Sequence, residues 1–116
     1  MFSQRGGARL DTFNATWPFA KLSVRDDALV LDVLFTRYEF PRRNIEALRP
    51  YRGIGGLGLM VEHTLVDLAI PWHVVFWTFS FAALRAALEH AGYTVLGRED
   101  EIKWWRDRSW RRPRPR

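Results

Sequence analysis

Three histidines, one glycine-rich run, two groups of neighbouring carboxylates and a tryptophan–arginine tail hold the chemical potential of this chain. His63 and His73 flank a bend around residue 68, so a hairpin there would set them directly opposite each other. Two imidazoles on adjacent strands can begin a metal site, but no third ligand follows at a useful spacing. Ordinary sheet-surface or edge histidines are the plainer expectation. His90 falls near the end of a predicted helix, where an imidazole complements the negative end of the dipole. The run Ile54-Gly55-Gly56-Leu57-Gly58 lacks the Lys-Ser/Thr pair that a phosphate loop needs after its last glycine; Leu59-Met60-Val61 follows instead. A flexible strand connection is expected there. Asp26-Asp27 reads as a turn, and Glu99-Asp100-Glu101 suits the first turn of a short tail helix. No nucleophile–base pair and no complete ligand set emerges. The sequence therefore predicts no catalytic residue, no cofactor, no metal and no small-molecule substrate.

The tail is the richer stretch for partners. Residues 103–116 carry seven basic groups against one acid, Asp107, so the rest of the chain is close to neutral although the net charge is +5. Lys103, Trp104, Trp105, Arg106, Arg108, Trp110, Arg111 and Arg112 form the candidate surface for anionic partners. Indoles favour a membrane interface, and cations add attraction to anionic lipid. The same mixture suits single-stranded nucleic acid, with phosphates on arginine and bases on tryptophan. The third reading is plain: the indoles dock on the domain and Arg112 to Arg116 is a solvated end. Helical projection does not gather the three tryptophans on one side, which argues against an amphipathic membrane helix.

These groups need elements to position them. Residues 1–7 are expected to be a frayed terminus, Ala8 to Asn14 a first strand, and Asn14 to Pro18 a loop. Phe19 to Arg25 alternates, with Ala20, Leu22 and Val24 on one face and Lys21, Ser23 and Arg25 on the other. Leu29, Leu31 and Val33 continue inward on the next strand. Thr36 to Phe40 and Ile45 to Tyr51 are further strands, and Leu59 to Leu65 with Trp72 to Phe79 form a hairpin. Ser80 is placed as a helix N-cap, Phe81, Leu84, Leu88 and Ala91 form an apolar stripe, and Gly92 ends the helix. The charge-free run from Leu68 to Leu84 approaches membrane-spanning length. Pro71, His73, Thr78 and Ser80 interrupt it, and a buried strand leading into a helix is expected instead. There is no cysteine and no apolar leader at the start, which predicts a cytoplasmic protein.

About seven short strands followed by one helix suggest a sandwich or small barrel. Trp17-Pro18-Phe19, Tyr38-Glu39-Phe40-Pro41, Ile45 and Val75-Phe76-Trp77-Thr78-Phe79, ahead of the helix ending at Ala91-Gly92, resemble the bacterial pleckstrin-homology-like (PH-like) domain family. The resemblance implies a mainly β fold over residues 8–95, a barrel of two near-orthogonal antiparallel sheets closed by one C-terminal helix, with 96–116 as an acidic-then-basic tail. It also implies a non-enzymatic binding or adaptor module. Its partner is expected to be a protein, with the tail drawn to anionic partners. The alternative is a peripheral binder of anionic lipid at the inner face of the membrane; nucleic-acid binding through the tail comes third. In lipid-binding members, basic residues crowd the first strand–loop–second strand segment. Here that segment offers Lys21 and Arg25, while Asn14 to Pro18 has no charge, which argues against specific phosphoinositide recognition.

Overall fold

The computed structural model describes residues 2–11, 13–53, 56–65, 70–97 and 103–104. Period-2 alternation yields the central strands: Ala20, Leu22 and Val24 are all buried, as are Leu29, Leu31 and Val33 on the next strand. In chain order the elements are β1 (Phe2–Leu10), β2 (Phe13–Val24), β3 (Ala28–Val33), β4 (Thr36–Pro41) and a 3-10 turn (Arg42–Asn44). Then come β5 (Ile45–Gly53), β6 (Gly56–His63), β7 (Val74–Trp77), α1 (Phe81–His90) and the two-residue β8 (Lys103–Trp104).

All the strands belong to one hydrogen-bonded sheet in the order β4-β3-β2-β1-β7-β6-β5-β8. Its neighbours are antiparallel except β8, which runs parallel to β5. The sheet is not closed. It does curl, because a single core collects Leu22, Leu31 and Phe40 from one half and Leu48, Leu59 and Phe76 from the other. The rings of Phe40 and His63 lie 5.0 Å apart, although β3, β2, β1 and β7 separate their strands in the sheet order. The corner falls within β1: Gly6 pairs with β2 alone, whereas Gly7 to Leu10 run beside β7. A Cβ on Gly6 would collide with the Trp77 carbonyl and the Phe76 ring, so only glycine lets the strands approach this closely.

The helix lies against that core. Phe81, Leu84 and Leu88 are buried in it, as their spacing predicts. Gly92 ends the helix with φ +91, and the Tyr93 N–H donates to the Leu88 carbonyl at 2.9 Å. Ser80 occupies the N-cap position but its hydroxyl makes no cap bond; the Ser80 N–H donates instead to the Thr78 hydroxyl at 3.0 Å.

Two expectations about the first strands need correction. β1 begins at Phe2 and not at Ala8: Ser3 bonds Ser23 across the pair, and the polar residues that suggested fraying alternate with inward ones. Asn14 to Pro18 is not a separate loop between strands: Asn14 and Ala15 pair with β1, and Thr16 to Pro18 form an unpaired excursion inside β2. The turn falls earlier, at Asp11, whose positive φ of 46 a short polar side chain tolerates. Of residues 103–116, only the backbone of Lys103 and Trp104 is described, paired with Tyr51 and Arg52. Trp105, Arg106, Arg108, Trp110, Arg111 and Arg112, and the acidic run at 99–101, lie outside the described residues. Among the described residues, no helix is long and apolar enough to cross a membrane.

Candidate functional site

β2 breaks register opposite the glycine corner. Gly6 pairs with Ala20 but Ala8 pairs with Ala15, which leaves Thr16 to Phe19 as an excursion from the sheet. The Trp17–Pro18 peptide within it is cis. Trp17 and Phe19 emerge 54% and 55% exposed.

Two neighbouring connections extend this apolar surface. The Phe19 carbonyl accepts the Leu34 N–H at 3.0 Å, which docks the β3–β4 turn beside the excursion. That turn is a two-residue loop between the paired Val33 and Thr36. Such loops favour glycine, asparagine or aspartate at the position that needs positive φ. Here the loop is Leu34-Phe35, with Leu34 at φ 54 and both side chains exposed. On the other flank, Phe79 occupies the β7–α1 link. Gln4 fixes that link: its carboxamide oxygen accepts from the Thr78 hydroxyl at 2.7 Å, and its NH2 donates to the Ser80 carbonyl at 3.1 Å. Phe79 is 84% exposed on this pinned turn, and its ring lies 6.1 Å from that of Trp17.

Phe79, Trp17, Phe19, Leu34 and Phe35 therefore make one rim along adjacent connections. A cleft of about 320 Å³ opens beside it, between Gly7, Ala15 to Trp17 and Trp77 to Phe79. Its walls are mostly apolar, with Asn14, Thr16 and Thr78 as the polar groups within reach. The arrangement offers apolar contact area and a few hydrogen bonds, the chemistry of recognition.

The histidines and the two β2-side cations singled out in the sequence lie elsewhere. His63 and His73 are not opposite each other: β6 and β7 pair Val61 with Val74, and that register carried on puts Trp72 across from His63. The His63 and Trp72 rings are 5.3 Å apart. Nor is His63 an edge residue, being only 2% exposed. Its Nδ1 accepts the Leu65 N–H at 3.2 Å, so Nε2 carries the proton it donates to the Pro71 carbonyl at 2.8 Å. It is a core residue holding the β6–β7 connection. The Asp11 carboxylate accepts the backbone N–H groups of Trp72 and His73, at 3.2 and 2.8 Å, and ties the β1–β2 turn to the same connection. His90 is in the last turn of α1. Among the described residues, no three His, Cys, Asp or Glu side chains come together.

Lys21 and Arg25 each lie beside a carboxylate-bearing neighbour. Lys21 lies in a cross-strand row with Arg5 and Asp32, and Arg37 donates to Asp32 at 2.8 Å. The Arg25 guanidinium sits 3.8 Å from Glu39. Both cations have carboxylates as near neighbours, and neither lines the cleft.

The rim was only partly foreseeable. Trp17-Pro18-Phe19 and Phe79 drew attention in the sequence, as marks of the fold and not of a surface, but Gln4, Leu34 and Phe35 did not. One signal was present: a Leu-Phe pair stands where a tight turn should carry Asn, Asp or Gly. With this geometry in place, no protein-family model, no curated protein and no solved structure matches the chain. What the fold and site define is a mainly β domain with one helix and an exposed aromatic rim.

Proposed function

We propose that this chain is a non-enzymatic, cytoplasmic binding module of PH-like architecture that takes a protein partner on the rim formed by Phe79, Trp17, Phe19, Leu34 and Phe35. The strand order β4-β3-β2-β1-β7-β6-β5, followed by a helix on the curled sheet, supports the architecture. The β3–β4 turn carries the function. A leucine at positive φ costs about 1 kcal/mol or more relative to glycine. With positive φ at position 34 and not at 35, stability alone would place glycine at position 34, so the exposed Leu34-Phe35 pair is best accounted for by a surface it must contact. Exposed aromatic clusters of this kind mark interaction sites, and large aromatics dominate the energetics of protein interfaces.

A lipid surface is the second reading. Exposed tryptophan and phenylalanine suit the membrane–water interface. Arg5, which donates to the Pro18 carbonyl at 3.5 Å, places a cation beside the rim.

Affinity enrichment from the native cell with wild-type protein and a Trp17→Ser/Phe79→Ser variant separates the two, run beside flotation on zwitterionic and anionic vesicles. A protein partner that copurifies with wild type should be lost with the variant, since removing an interface anchor weakens binding by roughly 30-fold or more. Both side chains are largely exposed, so the variant should keep its stability within about 0.5 kcal/mol. Vesicle binding that depends on the two aromatics, with no copurifying protein, would contradict the protein reading in favour of lipid.

A further inference from the structure

The sheet ends differently at its two edges. At the β5 edge, Val95 bridges Leu48, the Leu96 N–H donates to the Leu48 carbonyl at 2.8 Å, and Lys103 and Trp104 pair with Tyr51 and Arg52. At the β4 edge, β3 is the one sheet neighbour among the described residues, and no other described segment bonds to the backbone of Thr36 to Pro41. Thr36, Arg37 and Glu39 are exposed. A bare edge of this kind is a template for a further strand, which proteins commonly blunt with lysine or a bulge. β4 has neither: it pairs with β3 without a register shift, and its exposed charges are one of each sign.

The hairpin geometry decides which groups face that edge. Val33 and Thr36 flank a two-residue loop and so exchange both backbone hydrogen bonds; alternate pairs do the same along the strands, Leu31 with Tyr38 and Leu29 with Phe40. The backbone N–H and C=O groups of Arg37 and Glu39 therefore point away from β3. Pro41 comes next in that series, where a missing N–H costs the β3 pairing nothing. Phe40 is buried and Tyr38 half-buried on the core side, whereas the Arg37 and Glu39 side chains are 64% and 58% exposed on the other face.

A second β4 running antiparallel matches this edge in a single central register. One alternative sets Arg37 opposite Arg37. Another sets Glu39 opposite Glu39 and Arg37 against the proline. Both bring like charges face to face, which is destabilising across a strand pair. The register between them centres a two-fold axis on Tyr38 and sets each Arg37 opposite Glu39, so the outward backbone groups bond between unlike charges. The row Lys21, Asp32, Arg37 then continues into Glu39 of the second copy with the sign alternating at each step.

We propose that two copies of this chain associate through β4, antiparallel, with Arg37 of each opposite Glu39 of the other, which joins the two sheets into one. The occupant of the edge is a second copy, held by backbone hydrogen bonds and placed in register by charge. The interface is small and its hold reversible. Trp17 and Phe19 on β2, and Phe79 after β7, lie beyond β3 in the sheet order and stay available to a partner at the rim.

Sedimentation equilibrium of the intact chain reads this association. The weight-average mass should rise from one chain towards two between about 0.05 and 1 mM, the range of a small, transient interface. Arg37→Glu and Glu39→Arg, taken singly, replace attraction with repulsion on both sides of the axis and should weaken association roughly tenfold. An equimolar mixture of the two single variants should recover the dimer, because each supplies the sign that the other lacks. The double variant Arg37→Glu/Glu39→Arg should recover it alone. A constant single-chain mass up to about 1 mM would overturn the proposal. So would single variants that associate as tightly as the unaltered chain, or a mixture that stays monomeric while both variants keep their far-ultraviolet spectrum. Tyr38→Cys gives an independent reading should the charge variants fail to fold. The chain has no cysteine of its own, and Cα atoms about 4.5 Å apart across the axis suit a disulfide. Mild oxidation should link Tyr38→Cys chains in pairs and leave Glu89→Cys chains, altered on the exposed side of α1, single. No linkage from Tyr38→Cys, or equal linkage of both, would defeat the assignment.

Discussion

Leu34 and Tyr93 show how single residues serve different ends in this molecule. Leu34 is held at φ 54 in a turn whose geometry suits glycine or asparagine, and it presents itself and Phe35 to solvent. Replacing the pair, Leu34→Gly with Phe35→Asn, should raise unfolding stability by about 1 kcal/mol while weakening capture of the partner. Denaturant unfolding and a binding assay on the same preparation check both halves. A loss of stability would show that Leu34 is structural. Tyr93, by contrast, is purely structural. Its hydroxyl donates to the Arg25 carbonyl at 2.7 Å, and the Arg42 guanidinium lies 4.3 Å from its ring centroid. Burial raises the phenol above its usual value, Arg42 opposes the rise, and Asp27 and Asp26 add to it. The neutral phenol is therefore the form the fold prefers. Its contribution is complete below the unfolded value of about 10 and is lost as pH climbs through the raised folded value. Tyr93→Phe should cost about 0.5–1.5 kcal/mol at neutral pH and flatten the alkaline fall in stability above pH ~10. Thermal melts from pH 8 to 11 would show an unchanged alkaline slope if the phenol plays no part.

At the scale of elements, α1 and β1 set the shape of the core. Leu84 is 0% exposed at the centre of the helix's apolar stripe. Leu84→Ala should cost about 2–5 kcal/mol in denaturant unfolding, and a change below about 0.5 kcal/mol would mean the helix is peripheral. This helix was legible because its signals are local: an apolar stripe of three- and four-residue steps and a glycine to end it. β3, β4 and the β6–β7 hairpin were legible for the same reason, through alternation and turn residues. β1 was not. Two glycines and alternate polar residues look like fraying in isolation, and only the close passage of β7 explains why Gly6 must be glycine. The excursion in β2 was hidden likewise, since a register shift against β1 is a long-range property. Ser80 shows the limit of a positional rule: the residue is at the N-cap, but Gln4, 76 positions away, orders the link through Thr78 and the Ser80 carbonyl.

For the molecule as a whole, the site became visible only after the curl brought separate connections together. Leu34-Phe35, Trp17 to Phe19 and Phe79 come from three segments, and nothing in their spacing announces a shared surface. Charge divides the chain in the opposite way, with residues 1–102 near neutral and the net positive charge concentrated after residue 102. Binding at the rim should therefore be apolar and change little with salt, whereas attraction through the basic segment should fall steeply as salt is raised. The most direct test of the rim places a photoreactive phenylalanine analogue at position 79 or 35, with position 43 as an exposed control away from the rim, in cells making the protein at its native level. Irradiation is predicted to give one discrete protein adduct from positions 79 and 35 and none from position 43. Adducts to lipid alone, or the same products from all three positions, would contradict the rim as the binding surface.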